Sequence, residues 1–382
     1  MHLNVLDRAR ATRAVEVATQ VLARVVDAGR IHVATERMRT GSSNPDLTRW
    51  RPTSLALGAA GVAIACGVME EREPTGGWGP VGHRFLAEAV AGLPAPLVPL
   101  SLFSGAVGVA AAAWLLSRQG RRYPGLLEQL DAWLLPRLRT AATPPAPIDT
   151  VAPPDLFDGA PGWLVYLSMR PATPAVAAVV EAVAGSLISA LAAGAVPEGG
   201  MAHGIPGALA ALAALHAGAA TVAGLSDGVR TGAERVIATG PAGIRPTWCT
   251  GMPGTARALW LAGTALDEPR YLRAALDTMA AAPTGGLDSP TLCHGTAGLL
   301  LLTAGFAVGT GQPRWRAAAA TQTDELLDRY DPASLFGYRD VEPAGNQVDN
   351  PGLLWGAAGV ALALLALADV EAPAWTRLFL LS

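Results

Sequence analysis

The stretch GIPGALAALAAL, Gly204 to Leu215, decides how this chain folds: two glycines three residues apart open a run that carries no charge. Ala and Leu are strong helix formers, and a helix that is apolar on every side is one that is buried. The same Gly-x-x-Gly opening, each time leading into an apolar helical run, occurs seven times, at Gly58 and Gly61, Gly105 and Gly108, Gly159 and Gly162, Gly204 and Gly207, Gly251 and Gly254, Gly295 and Gly298, and Gly356 and Gly359. The first glycines are 47, 54, 45, 47, 44 and 61 residues apart, a period that suits one helix pair per repeat. The glycines themselves read as structural, giving tight turns and close backbone approach where helix ends crowd together.

Between these runs lie amphipathic stretches: Thr12 to Ala28, His83 to Ala91, Leu126 to Leu138, Val176 to Leu191, Asp227 to Ala238, Tyr271 to Ala281 and Trp315 to Tyr330. Their charges fall at helical intervals, as on surface helices. A unit of one buried and one exposed helix cannot cover its apolar faces alone, but several can do so by packing on one another. The pattern therefore predicts an all-α chain. Its expected architecture is an α/α toroid of seven inner and seven outer helices forming a single domain over residues 1–382, with the outer helix of the first repeat near 12–28. An open solenoid uses the same pattern, and the count of seven favours closure. Parallel inner helices would bring the glycine entrances to one end, where chemistry is expected.

Composition agrees with a large packed interior. Hydrophobic residues make up 51% of the 382 and charged residues 15%, far from a disordered composition. The formal charge of -3 gives no general attraction to nucleic acid, and none is expected as a partner. The opening Met1-His2-Leu3-Asn4, soon followed by Asp7 and Glu16, lacks the plan of a secretory signal, so a cytoplasmic location is expected. Leu353 to Ala368, the most apolar run, falls short of the roughly 20 residues that cross a bilayer, and no membrane span is expected. Thr143 to Pro154 reads as an extended Pro-rich connection.

Two entrances differ from the others. The fifth reads RPTWCTGMPG, Arg245 to Gly254, and the sixth SPTLCHGTAG, Ser289 to Gly298. If the repeats superimpose, Cys249 and Cys293 occupy equivalent places on adjacent repeats, with His294 beside the second. Two thiolates and an imidazole leave a fourth tetrahedral position open, the pattern of a catalytic zinc site. Cysteines at glycine-rich turns also serve as small buried residues, and paired Cys-x-x-Cys knuckles are missing. Cys66, inside the first apolar run, reads as core packing.

Trp-Cys-x-Gly-x-Pro-Gly followed by Cys-His-Gly resembles the zinc signature of the lanthionine synthetase C-like cyclases. The resemblance extends from about Ser54 to Ala368 through SLFSGAVG (Ser101 to Gly108), DLFDGAPG (Asp155 to Gly162) and AHGIPG (Ala202 to Gly207). It implies a toroid fold and one zinc ion held by Cys249, Cys293 and His294. It also implies that Asp155 is an acidic active-site residue, His203 the active-site histidine and Arg245 an arginine of the site. The implied reaction adds peptide cysteine thiols to dehydroalanine or dehydrobutyrine, making thioether rings in a dehydrated precursor peptide. A dehydratase and an export transporter are the further partners implied. Thr250 stands where an aromatic residue commonly follows the cysteine, and Trp355 where the last repeat often has an acid. These departures bear on peptide specificity.

Other functions remain to be weighed. A non-catalytic peptide-binding protein, or thiol addition to another electrophile, uses the same residues. Glycoside hydrolases also occur on α/α toroids, but they need paired carboxylates; Asp155 and Asp158 alone offer that here and leave the Cys-Cys-His set unexplained. Prenyltransferase-like toroids alkylate thiols at zinc, with a ligand pattern that fits this chain poorly.

Overall fold

The computed structural model describes residues 5–46, 48–95, 98–143, 154–369 and 371–382, so most of the Pro-rich connection lies outside the described residues. Two compact units are present. The first comprises Met1–Pro96, Thr284–Thr376 and Leu381–Ser382, the second Leu97–Pro283 and Arg377–Leu380.

The first unit holds helices α1 (Arg8–Val25), α2 (Ala28–Gly41), α3 (Ala59–Arg72) and α4 (Trp78–Ala91), and later α13 (Thr296–Thr310), α14 (Pro313–Asp328) and α15 (Ala357–Ala368). A short antiparallel hairpin, β1 (Asp340–Val341) with β2 (Gln347–Val348), precedes α15 and pairs Asp340 with Val348. In the second unit are α5 (Ala106–Leu116), α6 (Pro124–Ala142), α7 (Ala160–Ser168), α8 (Pro174–Ala192), α9 (Ile205–Ala217), α10 (Leu225–Thr239), α11 (Met252–Leu266) and α12 (Pro269–Ala281).

Each apolar run that follows a glycine pair is a buried helix, and each packs on an amphipathic partner. In the first unit the pairs are α3 with α4, α13 with α14, and α15 with α1; in the second they are α5 with α6, α7 with α8, α9 with α10, and α11 with α12. The helix expected near 12–28 is α1, but it packs on α15, the inner helix of the last repeat, whereas the inner helix of the first repeat, α3, pairs with α4. Burial explains the absence of charge: α15 is buried from Ala357 to Leu367, and each leucine there contributes about 1.5–3 kcal/mol by leaving water. Three elements were not anticipated: α2, the hairpin and a short 3-10 helix, Ala374–Phe379. Helix α2 buries only Ile31, Ala34 and Met38, too narrow a stripe to stand out among its charges.

Among the described residues, one helix, Pro174–Ala192, is long and apolar enough to cross a membrane by length and composition. It is the outer helix α8, and its Val179, Val183, Leu187 and Leu191 are buried inside the second unit.

Some helices outside the inner set begin at a side-chain cap. Asp7, Asp27 and Thr173 cap α1, α2 and α8 by accepting a backbone N–H in the first turn. Inner helices begin at glycine without a side-chain cap. Their first amides donate instead to carbonyls of the loop just before: Thr296, Ala297 and Gly298 bond the carbonyls of Ser289, Pro290 and Thr291 at 3.0, 3.1 and 3.4 Å. Orphan amides are thus satisfied, but only if the loop lies against the helix start. The second glycine of a pair makes this possible. A Cβ at Gly254 would sit 2.1 Å from the Trp248 carbonyl oxygen and 3.3 Å from the Cβ of Met201. Gly254→Ala is expected to cost about 1–3 kcal/mol by overpacking. Gly305→Ala in α13, where an added Cβ meets nothing within 4 Å, is expected to gain about 0.5–1 kcal/mol as a helix-interior replacement. Thermal or denaturant unfolding of the two variants checks both signs.

Neighbouring entrances are joined by main-chain hydrogen bonds whose acceptor is the residue two before a first glycine and whose donor lies two or three before a neighbouring one. In the second unit Leu102 N donates to Phe157 O, Leu156 N to Ala202 O, and Ala202 N to Cys249 O, each at 3.0 Å. In the first unit Cys293 N donates to Leu354 O and Leu354 N to Ala56 O, each at 3.1 Å. Within each unit this ladder gathers the entrances at one end, as parallel inner helices require.

Candidate functional site

In the second unit the ladder brings Asp155, His203 and Cys249 to three consecutive entrances. Asp155 divides its carboxylate between two tasks. Oδ1 accepts the Asp158 N–H at 2.8 Å and closes the turn, while Oδ2 faces His203 Nδ1 at 3.7 Å, an ion-pair distance beyond hydrogen-bond range. The Phe157 ring lies beside the imidazole with centroids 4.7 Å apart. Asp155 is largely buried, whereas the His203 side chain is 56% exposed and can meet a ligand from solvent.

Charge and burial act in opposite senses on this pair. The facing Asp155 carboxylate raises the His203 pKa, burial opposes it, and Asp158 and Cys249 add smaller upward pulls. Burial pushes Asp155 up, but His203 and the backbone amides of Asp158 and Phe157 together outweigh it and hold the carboxyl below its usual range. Asp155→Asn removes the main upward pull on His203. Its imidazole is then expected to titrate at lower pH than in the parent chain, which an NMR titration of the His203 ring measures; an unmoved titration would discard the pairing.

Cys249 is partly exposed, with Sγ 3.9 Å from the hydroxyls of both Thr247 and Thr250. Its carbonyl receives the Ala202 amide, and the fit there is tight: a Cβ at Gly200 would lie 2.1 Å from the Cys249 oxygen. Arg245 is exposed on the loop leading to it. Beneath the loop Trp248 is buried and donates Nε1–H to the Phe379 carbonyl at 3.0 Å. Phe103, Phe157 and Phe379 lie around Trp248 with ring centroids 6.2, 6.5 and 5.5 Å from it. Buried Arg257 of α11 donates Nε–H to Leu380 O at 3.0 Å, and burial lowers its pKa to about 10. This aromatic floor, with the segment Arg377–Leu380 seated on it, was not foreseen from sequence.

In the first unit Cys293 and His294 occupy the same register that Ala202 and His203 occupy in the second, immediately before the first glycine. Cys293 is 6% exposed. His294 Nε2 lies 3.1 Å from Asp340 Oδ1 on β1, and Asp340 is buried at 4% exposure. The same carboxylate oxygen accepts from Ser289 Oγ at 2.8 Å, and Ser289 Oγ is 2.9 Å from Thr291 Oγ1. Nearby Glu342 is engaged elsewhere, accepting from Ser43 N at 2.7 Å and Ser42 Oγ at 2.5 Å. Asp340 escaped the sequence reading. The one signal was the 61-residue spacing before the last entrance, the longest of the six, into which the hairpin is inserted.

Cys249 thus belongs to the second unit, Cys293 and His294 to the first. Among the described residues no group of three or more His, Cys, Asp or Glu side chains stands arranged to hold a metal ion. The donors fit zinc in their chemistry. Cys66, Cys249 and Cys293 are all free of disulfides, and the His294 ring has one nitrogen on a buried carboxylate, the usual anchorage of a metal-bound imidazole.

Other cysteine, histidine and aspartate side chains have structural roles. Cys66 is buried in α3 and burial pushes its thiol up to about 12. His216, at the end of α9, shares a 3.0 Å hydrogen bond with Ser226. Asp349 braces a loop through Leu335 N at 3.2 Å and ion pairs with Arg37 and Arg339 at 3.5 Å. Asp158 accepts from Ser104 Oγ at 3.1 Å.

The family model for lanthionine synthetase C-like proteins matches residues 49–380. The chain belongs to the lanthionine synthetase C-like family. No curated protein matches it. Among solved structures it is similar to nisin cyclase, at a TM-score of 0.72 and 18% identity, over 92% of this chain and 95% of that one. At that identity the likeness shows the fold, and the α/α toroid expected from the repeats is the fold of nisin cyclase.

Proposed function

We propose that this lanthionine synthetase C-like chain is a zinc-dependent peptide cyclase that adds cysteine thiols to dehydroalanine or dehydrobutyrine of a dehydrated precursor peptide, forming lanthionine or methyllanthionine. The observation that supports this reading is the Asp155 and His203 pair on the two entrances that lead up to that of Cys249, in a chain of this family whose Cys249, Cys293 and His294 resemble a zinc-ligand set. Similarity to nisin cyclase supports a peptide substrate.

Cys249, Cys293 and His294 would hold the zinc ion, which would supply one thing: a substrate thiol, ordinarily with a pKa near 8.5, would be kept deprotonated at neutral pH. The chain's own groups then handle the rest. Sulfur attacks the β-carbon, the double bond shifts to an enolate, and a proton returns to the α-carbon, so one S–H is added across one C=C and nothing is lost. His203 supplies that proton. Asp155, by raising the pKa of His203, keeps the imidazole protonated to higher pH than a free one. Arg245, exposed near the thiol site, stabilises the enolate oxygen. Because dehydro amino acids must be made first, a dehydratase acts upstream, and an export transporter takes the product.

Cyclisation leaves mass unchanged, so the test counts free thiols. The purified chain is analysed for zinc and incubated with a dehydrated Cys-containing peptide, whose remaining thiols are alkylated and weighed. Near one zinc per chain and thiol loss well above the enzyme-free control are expected. Tight peptide binding with no thiol loss would make the chain a binding protein.

A further inference from the structure

We infer that Phe379, carried in by the C-terminal segment, is a positioning residue for cyclisation: its ring props the aromatic floor that holds His203 at the site. The inference rests on the proposal that His203 returns the proton to the α-carbon. It follows from how that imidazole is held. The side chain is more than half exposed, and Asp155 faces it across 3.7 Å, too far for a hydrogen bond. The Phe157 ring lies against it, 4.7 Å away between centroids at an interplanar angle of 37°. The aim of His203 therefore depends on where Phe157 stands.

Phe157 in turn stands on a series of rings. Its centroid is 4.6 Å from that of Phe103, and Phe103 is 5.3 Å from Phe379, spacings at which aromatic pairs attract. Phe103 and Phe379 are fully buried, in an interior where a lost ring is felt by its neighbours. The segment that brings Phe379 is fastened on both sides of the ring. The Phe379 carbonyl accepts Trp248 Nε1–H, and the Leu380 carbonyl accepts Arg257 Nε–H, both at 3.0 Å. Leu380 is held at φ 57°, in the left-handed region that a leucine keeps only where its surroundings fix it. All these residues belong to the second unit, as His203 does. Removing the Phe379 ring leaves a cavity beside Phe103 into which the floor relaxes. A displacement of about 1 Å at a reacting group costs up to about 10²-fold in rate.

The test compares the full parent chain with Phe379→Ala and Phe379→Leu. Thiol consumption gives kcat and KM, and 1H–13C spectra at one fixed pH follow the His203 ring proton, assigned by its loss in His203→Asn. Phe379→Ala is expected to melt lower, to lose about 10–10²-fold in kcat with KM little changed, and to move the His203 signal. Phe379→Leu, which keeps apolar bulk without a ring, is expected to fall between. A mere loss of packing lowers the melting point and leaves both kcat and the His203 signal of the folded chain as they were. That result, or a change in only one of the two, overturns the positioning role. If Phe379→Ala is unfolded at the assay temperature, Phe379→Leu is read in its place by the same criteria. A parent chain that consumes no thiol overturns the cyclase reading instead, and the His203 signal alone then decides the role of Phe379.

Discussion

Cys249→Ala is expected to leave the purified chain without zinc and to reduce ring formation to the background rate of uncatalysed thiol addition. Two thiolates and one imidazole are the least that hold zinc tightly with a coordination place left open, and deleting a thiolate removes both a ligand and a negative charge. The substitution is mild for the fold. The ladder bond at this position uses the Cys249 carbonyl, which alanine retains, and Ala202 stands at the same register one entrance earlier. Metal analysis and the alkylation assay, run beside a melting curve, separate loss of metal from loss of structure. A folded Cys249→Ala chain that keeps zinc and cyclises at the parent rate would remove Cys249 from the site.

His203→Asn is expected to keep its zinc and lose about 10²–10⁴-fold in cyclisation rate, the usual contribution of a positioned acid or base. His203 suits the task by place as well as by chemistry. Its ring is more than half exposed, flanked by Phe157, and faces Asp155 at 3.7 Å, so it is held on one side and open on the other. Asparagine keeps a polar group of similar reach but carries no proton that titrates near neutrality. Normal turnover in this variant, measured as thiol consumption per zinc, would assign proton return to another group. Loss of zinc together with rate would instead make His203 part of the metal site.

Much of this architecture was legible because it is periodic. A glycine pair followed by uncharged Ala and Leu names a buried helix wherever it occurs, and every one of the inner helices begins directly after the first glycine of its pair. Outer helices were found from their charges, with starts displaced by a few residues where a proline or cap precedes the first charge; α12 begins at Pro269 and not Tyr271, α14 at Pro313 and not Trp315. Helix α2 and the hairpin were missed for a common reason. One buries a stripe of three side chains, the other has strands of two residues, and neither leaves a period to read.

The candidate site divides in the same way. Asp155, His203, Cys249, Cys293 and His294 sit at entrances, so their register follows from the repeat. Asp340 lies 46 residues beyond His294 in an insertion, and only folding brings its carboxylate to the imidazole. The pairing of a histidine with an acid occurs twice, His203 with Asp155 and His294 with Asp340, from acids that stand in unrelated places along the chain. Sequence spacing has no rule that would find the second from the first.

The ladder of amides and carbonyls between entrances has a further consequence, because main-chain bonds are indifferent to what hangs from them. The rung that carries a sulfur in Cys249 and Cys293 carries a methyl in Ala56 and Ala202 and an isobutyl in Leu354. Such a frame works as a row of identical sockets: reactive groups can be exchanged, added or withdrawn one residue at a time, while the geometry that aims them is inherited unchanged.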